Sequence, residues 1–593
     1  MRKLLWALLV AGPSLLGGNV MAEAIPVELK ETEKGWQLLR GGEPYFIKGA
    51  GGSGSLEQLA AAGGNSVRTW STDGVGEILD AAHALGLTVT VGIWLGHERH
   101  GFDYSDENQI LEQKERVRKA VLSHKDHPAV LLWGIGNEME GFEDGDNPAI
   151  WNAVNDIAAM VKELDPHHPT MTVTTFVHGD RVEYVHRQSP AIDIHGVNAY
   201  GGAQVVAQWL RDRNASKPFV LTEFGPVGPW ETETTEWGAP YEQTSTDKAE
   251  FYRQSYENGI LAEPGFALGS YAFLWGSKME ATETWFGMFL EDGAKTAAVD
   301  AMTELWSGTP SEDLAPLVEP LAVEGTAQVD PGAEITVKSV VTDPEGSILR
   351  ARWSLRPESA DYSTGGDFRP NLPEIDGVVL ESSIDGARVR MPEEPGAYRL
   401  FLYAYDEAGN AATANVPLLV KGSARTRFPV SVYEDSFGGM PWAPSGWMGN
   451  IESLTLDGEY ADVAPYEGSA AIRMRYEGTF GWVAVAWQDP PNNWGDISGG
   501  YDLTGATALE LWARGEYGGE KVSFGVGIIR QDKAHPDSAI RKTDDIRLTP
   551  EWQRYTVSLK DVDLSSIKTG FVVSLTGRRT PVTIYLDRIR FVR

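Results

Sequence analysis

Between residues 46 and 275, eight short β-rich segments alternate with amphipathic helical stretches, and this alternation constrains the fold more than any other feature. The predicted strands are 46–49, 66–70, 88–94, 129–138, 170–176, 192–200, 219–224 and 268–275. Strands that alternate with helices form parallel sheets, and eight such units over about 260 residues are typical of a closed (β/α)8 barrel. An open doubly wound sheet is the alternative, but the Gly-rich segment 49–54 lacks the spacing of a dinucleotide-binding loop.

Downstream of this region the sequence changes character, which indicates further domains. Residues 23–308 are predicted to form the barrel, with a hairpin at 35–46 that closes its bottom. A linker at 307–316 leads to short alternating strands over 317–421, which are typical of an immunoglobulin-like β-sandwich. Residues 425–593 are rich in β-forming and aromatic residues and favour a jelly roll. We therefore predict an α/β chain: a (β/α)8 TIM barrel, an immunoglobulin-like β-sandwich and a β jelly roll.

The first 22 residues have the pattern of a secretory signal peptide. A charged start at 1–3 is followed by an apolar run at 4–16 and by a small-residue cleavage site ending at Ala22. An uncleaved membrane anchor is the alternative, but the apolar run is shorter than the ~20 residues that a span needs and contains Pro13. We therefore expect a cleaved signal peptide and a periplasmic or secreted protein.

Charge and cysteine content limit the partners of the chain. A net charge of -33 disfavours nucleic acid and anionic membranes as partners, and makes a neutral substrate more plausible than a polyanion. The chain has no cysteine, which excludes disulfides and thiolate metal sites. Without disulfides, we expect this exported protein to be stabilised by packing alone.

Polar residues at the predicted strand ends point to a reaction. In a (β/α)8 barrel, functional side chains lie at the C-terminal ends of the strands. The fourth strand ends with Asn137 and Glu138, and the seventh ends with Glu223. Two carboxylates that face each other across a barrel mouth, ~5–5.5 Å apart, are what glycoside hydrolysis with retention requires. A buried salt bridge is the structural alternative for either carboxylate.

Further candidates lie at the neighbouring strand ends. Arg68 and Tyr200 are placed to keep a nucleophilic carboxylate ionised and oriented, and Trp275 to offer a flat apolar wall to a pyranose ring. Trp94 ends the third strand, His97 lies in the loop that follows, and both are predicted to contact substrate. The two histidines of that loop, His97 and His100, have no third ligand in register and do not make a metal site, so we expect no metal and no cofactor.

Two runs carry a family resemblance: Trp133-Gly134-Ile135-Gly136-Asn137-Glu138, and Thr222-Glu223-Phe224-Gly225. They resemble the strand-four and strand-seven signatures of clan A glycoside hydrolases, and residues 40–308 look most like the catalytic barrel of family 2. The resemblance implies that Glu138 is the acid/base, that Glu223 is the nucleophile and that Asn137 binds the sugar 2-hydroxyl. It also implies supporting roles for the candidates Arg68, Tyr200 and Trp275. Family 2 enzymes place β-sandwiches before the barrel, whereas here they follow it, so substrates do not carry over.

The C-terminal region resembles carbohydrate-binding jelly rolls in its first and last strands, at 433–437 and 584–589. Its tryptophans either stack on sugars or fill the core, and the sequence leaves both open. The prediction is an enzyme that hydrolyses a neutral β-linked polysaccharide or oligosaccharide, with a β-glucan as the best guess. The alternatives are a transglycosylase with the same residues and a non-catalytic glycan-binding protein on an inactive barrel.

Overall fold

A computed structural model describes residues 24–98, 101–140, 147–359, 362, 371–421, 428–478, 481–496 and 499–593. The predicted signal peptide and His100 lie outside the described residues. The chain divides into two compact units, Met1–Glu393 with Ala397–Val420, and Glu394–Gly396 with Lys421–Arg593. The first unit contains both the barrel and the strands that follow it, and the predicted domain boundaries stay predictions.

Eight parallel strands form a closed barrel in the first unit, in the order of the chain, which confirms the predicted fold. The strands are β4 (Ile47–Gly51), β5 (Ser66–Arg68), β6 (Thr88–Ile93), β7 (Val130–Ile135), β8 (Thr170–Thr175), β9 (Ile194–Asn198), β10 (Phe219–Phe224) and β11 (Ala267–Phe273). Strands that are covered on both faces appear in the sequence as continuous apolar runs. β7 is such a strand, since all six of its residues are buried. Because this pattern is strong, every predicted strand is present, several of them one to four residues shorter.

The helices of the barrel surround these strands. Their bounds are Leu56–Ala61, Val75–Ala84, Glu107–His124, Pro148–Leu164, Arg181–Glu183, Val206–Asp212, Ser245–Tyr256 and Ala297–Ser307, with π turns at Tyr184–Gln188 and Glu257–Leu261 and a 3-10 turn at Ala203–Val205. The short helical segment after β8 was not predicted, because it has too few residues to show a helical period. In the described part of the chain, no helix has the length and apolar character needed to cross a membrane.

A three-stranded antiparallel sheet precedes the barrel, formed by β1 (Val27–Thr32), β2 (Gly35–Arg40) and β3 (Glu43–Tyr45). Its Val27 and Leu38 share one apolar cluster with residues near the N-terminal ends of the barrel strands, such as Ile47 and Met171. The sheet therefore closes the bottom of the barrel, as predicted for the hairpin, although it begins earlier in the sequence.

The first unit also contains a β-sandwich of two four-stranded sheets with its own core, as predicted. Its sheets contain the strands Ala322–Val323, Glu334–Lys338, Gly386–Arg390 and Val379–Ser383, and Gln328–Val329, Ala411–Val420, Gly396–Tyr405 and Arg350–Pro357. Two further short strands, Leu317–Val318 and Val341–Thr342, pair with each other.

The second unit is a sandwich of two six-stranded sheets around one apolar core, which agrees with the predicted all-β fold. One sheet contains Val430–Tyr433, Leu454–Tyr460, Ala471–Tyr476, Ala508–Gly515, Gln553–Ser558 and Val582–Val592. The other contains Ala443–Gly449, Trp482–Gln488, Lys521–Val526, Arg541–Lys542, Ile546–Arg547 and Thr569–Thr576. A 3-10 turn lies at Ile451–Ser453.

Candidate active site

The backbone after β7 turns sharply and places Glu138 at the barrel mouth. Gly136 has φ 73° and Glu138 has φ 52°, both in the left-handed region that non-glycine residues rarely adopt. The amide of Glu138 donates a hydrogen bond to the carbonyl of Val173 on β8, at 2.9 Å. Such strained positions persist only when the surroundings hold them, and they are concentrated at functional sites.

Glu223, at the end of β10, is surrounded by hydrogen-bond donors. Arg68 Nη1 donates to its Oε1 at 2.9 Å, and the indole nitrogen of Trp70 donates to the same oxygen at 2.8 Å. The Tyr200 hydroxyl donates to Oε2 at 2.8 Å. Burial, and then the charge of Glu223, holds the pKa of Tyr200 well above its usual range, so this hydroxyl keeps its proton. Three donors to one buried carboxylate stabilise its ionised form.

Glu138 has a different environment. The side-chain amide of Asn198 donates to its Oε1 at 2.7 Å. Burial, reinforced by the negative charge of Glu223, raises the pKa of Glu138 from 4.5 to about 8. The Glu138 carboxyl therefore carries a proton at neutral pH while Glu223 is placed as an anion, which is the division of roles that a proton donor and a nucleophile need.

Two amides connect the carboxylates. Thr222 Oγ1 donates to Asn198 Oδ1 at 2.8 Å, which orients the Asn198 amide toward Glu138. Arg68 Nη2 donates to Asn137 Oδ1 at 2.6 Å, and the same oxygen accepts a bond from Asn198 at 3.3 Å. Because its oxygen is engaged, Asn137 has its amide nitrogen left to donate to a ligand in the cavity that it lines.

Both carboxylates line one open cavity of about 1330 Å³. Its walls include the aromatic side chains Trp70, Trp94, Phe176, Tyr200, Trp230, Phe273 and Tyr362. Trp94 is 36% exposed and Trp230 is 54% exposed, so both offer ring faces to a ligand. Flat apolar rings beside a few polar groups are typical of small-molecule binding sites, and the volume exceeds the needs of one sugar.

Two predicted substrate contacts are wrong. Trp275 is 2% exposed, because its ring packs in the core against Phe289 and Trp306. Its indole nitrogen donates to the carbonyl of Ser55 at 3.0 Å, away from the cavity. His97 is also 2% exposed and stacks on Trp94 with ring centroids 4.8 Å apart. It supports a cavity wall and does not form one.

The structure adds Trp70 and Asn198 to the predicted residues Glu138, Glu223, Arg68, Asn137, Tyr200 and Trp94. Both added residues lie at or just beyond the end of a barrel strand, so the rule that identified the carboxylates also points to them. Tyr362 has no such signal, because it belongs to the β-sandwich. Among the residues that the structure describes, no three His, Cys, Asp or Glu side chains form a group that could hold a metal ion.

Comparisons with known proteins support a glycoside hydrolase barrel. Residues 78–231 match the family model described as "Glycosyl hydrolases family 2, TIM barrel domain". A probable mannan endo-1,4-beta-mannosidase C of Aspergillus terreus is 24% identical over 163 residues, covering 23% of this chain and 40% of the relative. A beta-glucuronidase of Paenibacillus borealis is 24% identical over 234 residues, covering 32% of this chain and 37% of the relative.

Among solved structures, a beta-D-glucuronidase from Dictyoglomus thermophilum aligns with a TM-score of 0.37 and 20% identity, over 48% of this chain and 54% of that one. The matched region spans less than half the length of each curated relative: 40% of the mannosidase and 37% of the Paenibacillus borealis glucuronidase. Taken with the closed eight-stranded barrel, the family match identifies the barrel of this chain as a clan A glycoside hydrolase barrel like that of family 2.

Proposed function

We propose that the chain is a retaining β-glycosidase that hydrolyses a neutral β-linked polysaccharide or oligosaccharide. The observation that carries this proposal is the contrast between the two carboxylates. Glu223 accepts hydrogen bonds from three side chains, whereas burial and a neighbouring charge keep Glu138 protonated. A non-catalytic glycan-binding protein has no need of this contrast.

In the first step, Glu138 gives its proton to the glycosidic oxygen while Glu223 attacks the anomeric carbon. The bond from the anomeric carbon to the leaving group breaks as an ester bond to Glu223 forms. In the second step, the Glu138 carboxylate takes a proton from water, and the water oxygen attacks the anomeric carbon. The ester bond breaks, and Glu223 leaves as a carboxylate. Two displacements at one carbon retain the β configuration.

The surrounding residues orient these groups. Arg68 contacts both Glu223 and Asn137, so it fixes the nucleophile relative to the amide that would bind the 2-hydroxyl. Hydrogen bonds to that hydroxyl strengthen in the transition state and lower the barrier. The Tyr200 hydroxyl stabilises the Glu223 anion before attack and again when it leaves.

The charges of the cavity favour a neutral glycan. Besides the protonated carboxyl of Glu138, its described lining includes four acidic side chains: Asp73, Glu223, Glu231 and Glu280. The Lys and Arg side chains among the described lining residues are each paired with a carboxylate: Arg68 with Glu223 at 2.9 Å, Arg181 with Glu140 at 2.9 Å and Lys278 with Glu280 at 3.2 Å. A uronic acid would bring a further negative charge to this site. This argues against the glucuronide substrates that two relatives' names suggest, and a β-glucan or β-mannan fits better.

Transglycosylation uses the same first step, with a sugar hydroxyl in place of water in the second. A panel of neutral and acidic β-glycans, with products identified by mass, separates these cases and fixes the substrate. We expect cleavage of at least one neutral β-glycan, and of activated aryl β-glycosides. Turnover confined to aryl β-glucuronides would contradict the neutral substrate, and no turnover of any β-glycoside would contradict the enzyme.

Export and glycan binding by the second unit are also proposals. Trp442 and Trp487 are buried in the core of this unit, whereas Trp447 and Trp482 are 41% and 50% exposed. The two exposed tryptophans support a glycan-binding role, because flat rings in contact with solvent can stack on sugar faces. Cleavage of the expressed precursor near residue 22, read by mass, tests export.

A further inference from the structure

We infer that the β-sandwich completes the substrate site, because its Tyr362 forms a wall of the cavity that contains Glu138 and Glu223, and its ring binds a sugar of the substrate. This inference rests on the proposed function, since it assigns a residue to the same site. It makes the barrel and the sandwich one catalytic module, in which a domain that follows the barrel helps to determine specificity.

Tyr362 lies close to the catalytic groups. It lines the cavity together with both carboxylates. Its ring packs against an apolar cluster that contains Phe273 and Phe286, and Trp70 and Tyr200 pack against the same cluster. Trp70 and Tyr200 both donate hydrogen bonds to Glu223, so one apolar cluster connects Tyr362 with the side chains that hold the nucleophile.

Buried interactions of the sandwich hold Tyr362 in this position. Its hydroxyl is hydrogen-bonded to Glu358. The Glu358 carboxylate accepts two bonds from Arg399 Nε, each 3.0 Å, in an ion pair whose side chains are almost fully buried. Arg399 in turn donates through Nη2 to the carbonyl of Pro240 in the barrel, at 2.7 Å. A continuous chain of bonds thus links the barrel loop to Tyr362.

Further polar contacts fix the sandwich on the barrel beside the cavity. The Asn415 amide donates to Glu242 at 2.6 Å, and Arg356 pairs with Glu283 at 2.8 Å. Both glutamates belong to the barrel and follow β10 or β11. Breaking a buried ion pair strongly destabilises the structure, so these contacts define one docked arrangement.

The chemistry of Tyr362 specifies what it binds. Its hydroxyl is engaged by Glu358, so the part that remains for a ligand is the aromatic ring. A ring face recognises the apolar C–H face of a pyranose and makes little distinction between hydroxyl patterns. The ligand class is therefore a neutral pyranose unit of the substrate chain.

The test compares three variants of the full-length chain on a length series of β-linked gluco- and manno-oligosaccharides. Tyr362→Ala removes the ring and is expected to raise KM for oligosaccharides about three- to tenfold, with kcat changed less. Tyr362→Phe retains the ring and is expected to keep KM within about twofold. Tyr405→Ala is the matched control, because Tyr405 also belongs to the sandwich and bonds the barrel residue Asp292 at 2.9 Å but is absent from the cavity wall.

Unchanged KM for every oligosaccharide in Tyr362→Ala, with wild-type turnover intact, would overturn the inference and leave the proposed function standing. An equal rise of KM in Tyr405→Ala would also overturn it, because domain docking would then explain the effect. If Tyr362→Ala lowers the melting temperature, Tyr362→Leu gives the same test with apolar volume retained and no flat ring. An inactive wild-type protein would instead refute the proposed function, and oligosaccharide affinity by calorimetry would then decide the role of Tyr362.

Discussion

The Tyr200 hydroxyl lies 2.8 Å from Oε2 of Glu223 and donates a hydrogen bond to it. The other oxygen of Glu223 accepts bonds from Arg68 and Trp70, so both oxygens are engaged by donors. The carboxyl of Glu138, in contrast, accepts its side-chain bond from a neutral amide, that of Asn198. The two glutamates are thus prepared for opposite charge states.

Removing this hydroxyl should weaken the nucleophile. We expect Tyr200→Phe to lower kcat about ten- to a hundredfold with a smaller change in KM, because a hydrogen bond to a charged group is worth about 1.5–3 kcal/mol. Tyr256→Phe is the control, since Tyr256 is a buried tyrosine of the barrel that does not line the cavity. Equal kinetics for Tyr200→Phe and wild type would show that the bond does not act in the reaction.

The raised pKa of Glu138 predicts the basic limb of the pH profile. As pH rises through about 8, Glu138 loses the proton that it must donate, so kcat/KM should fall about tenfold per pH unit above that value. The limb should be absent from Glu138→Gln when activated aryl glycosides are the substrate. A limb that persists unchanged in Glu138→Gln would assign it to another group.

The same pKa also predicts how stability changes with pH. The folded state binds the Glu138 proton more tightly than the unfolded chain, whose carboxyl has the usual pKa of 4.5. This contribution is fully present below pH 4.5 and is lost as pH rises to about 8. The unfolding free energy of wild type relative to Glu138→Gln should therefore decrease across that window in denaturant titrations. A difference that stays constant, or increases with pH, would contradict the raised pKa.

Trp94 and Trp275 should respond to substitution in different ways. Trp94→Ala is expected to raise KM for oligosaccharides while the melting temperature changes little, because Trp94 is partly exposed at the cavity. Trp275→Ala should lower the free energy of unfolding by about 3–5 kcal/mol, because it leaves a cavity in the core. Kinetics and thermal melts on both variants test this, and the reverse pattern would restore Trp275 as a sugar platform.

The second unit should affect polysaccharide binding more than turnover. Deleting residues 425–593 is expected to leave turnover of small soluble substrates largely intact and to reduce retention on polysaccharide affinity gels. The double variant Trp447→Ala/Trp482→Ala should reproduce the loss, since these rings are exposed, whereas the exposed Tyr517→Ala serves as a matched control. Equal retardation of full-length and truncated protein in every glycan gel would rule out the binding role.

The barrel and the position of the carboxylates could be predicted because each depends on local sequence. Buried parallel strands leave continuous apolar runs, and strand ends such as that before Glu138 identify the barrel mouth. This strand-end rule fails for Trp275, which lies two residues beyond β11 and is buried in the core against Phe289 and Trp306. The strand-end rule cannot identify Tyr362, because Tyr362 belongs to the β-sandwich. The sandwich is held against the barrel by long-range contacts, such as Arg399 to Pro240, which leave no periodic signal in the sequence.

The assignment of Glu138 and Glu223 is tested most directly by azide rescue of the two alanine variants. In Glu223→Ala, azide enters the vacated space and attacks the anomeric carbon itself, so the account predicts an inverted glycosyl azide. In Glu138→Ala, azide resolves the glycosyl-enzyme ester on Glu223, so the product retains the β configuration. This variant should slow the cleavage of activated aryl glycosides least, because their leaving groups need little protonation. Product anomers are read by NMR. Opposite anomers from the two variants support the account, whereas the same anomer from both, or the two exchanged, would contradict it.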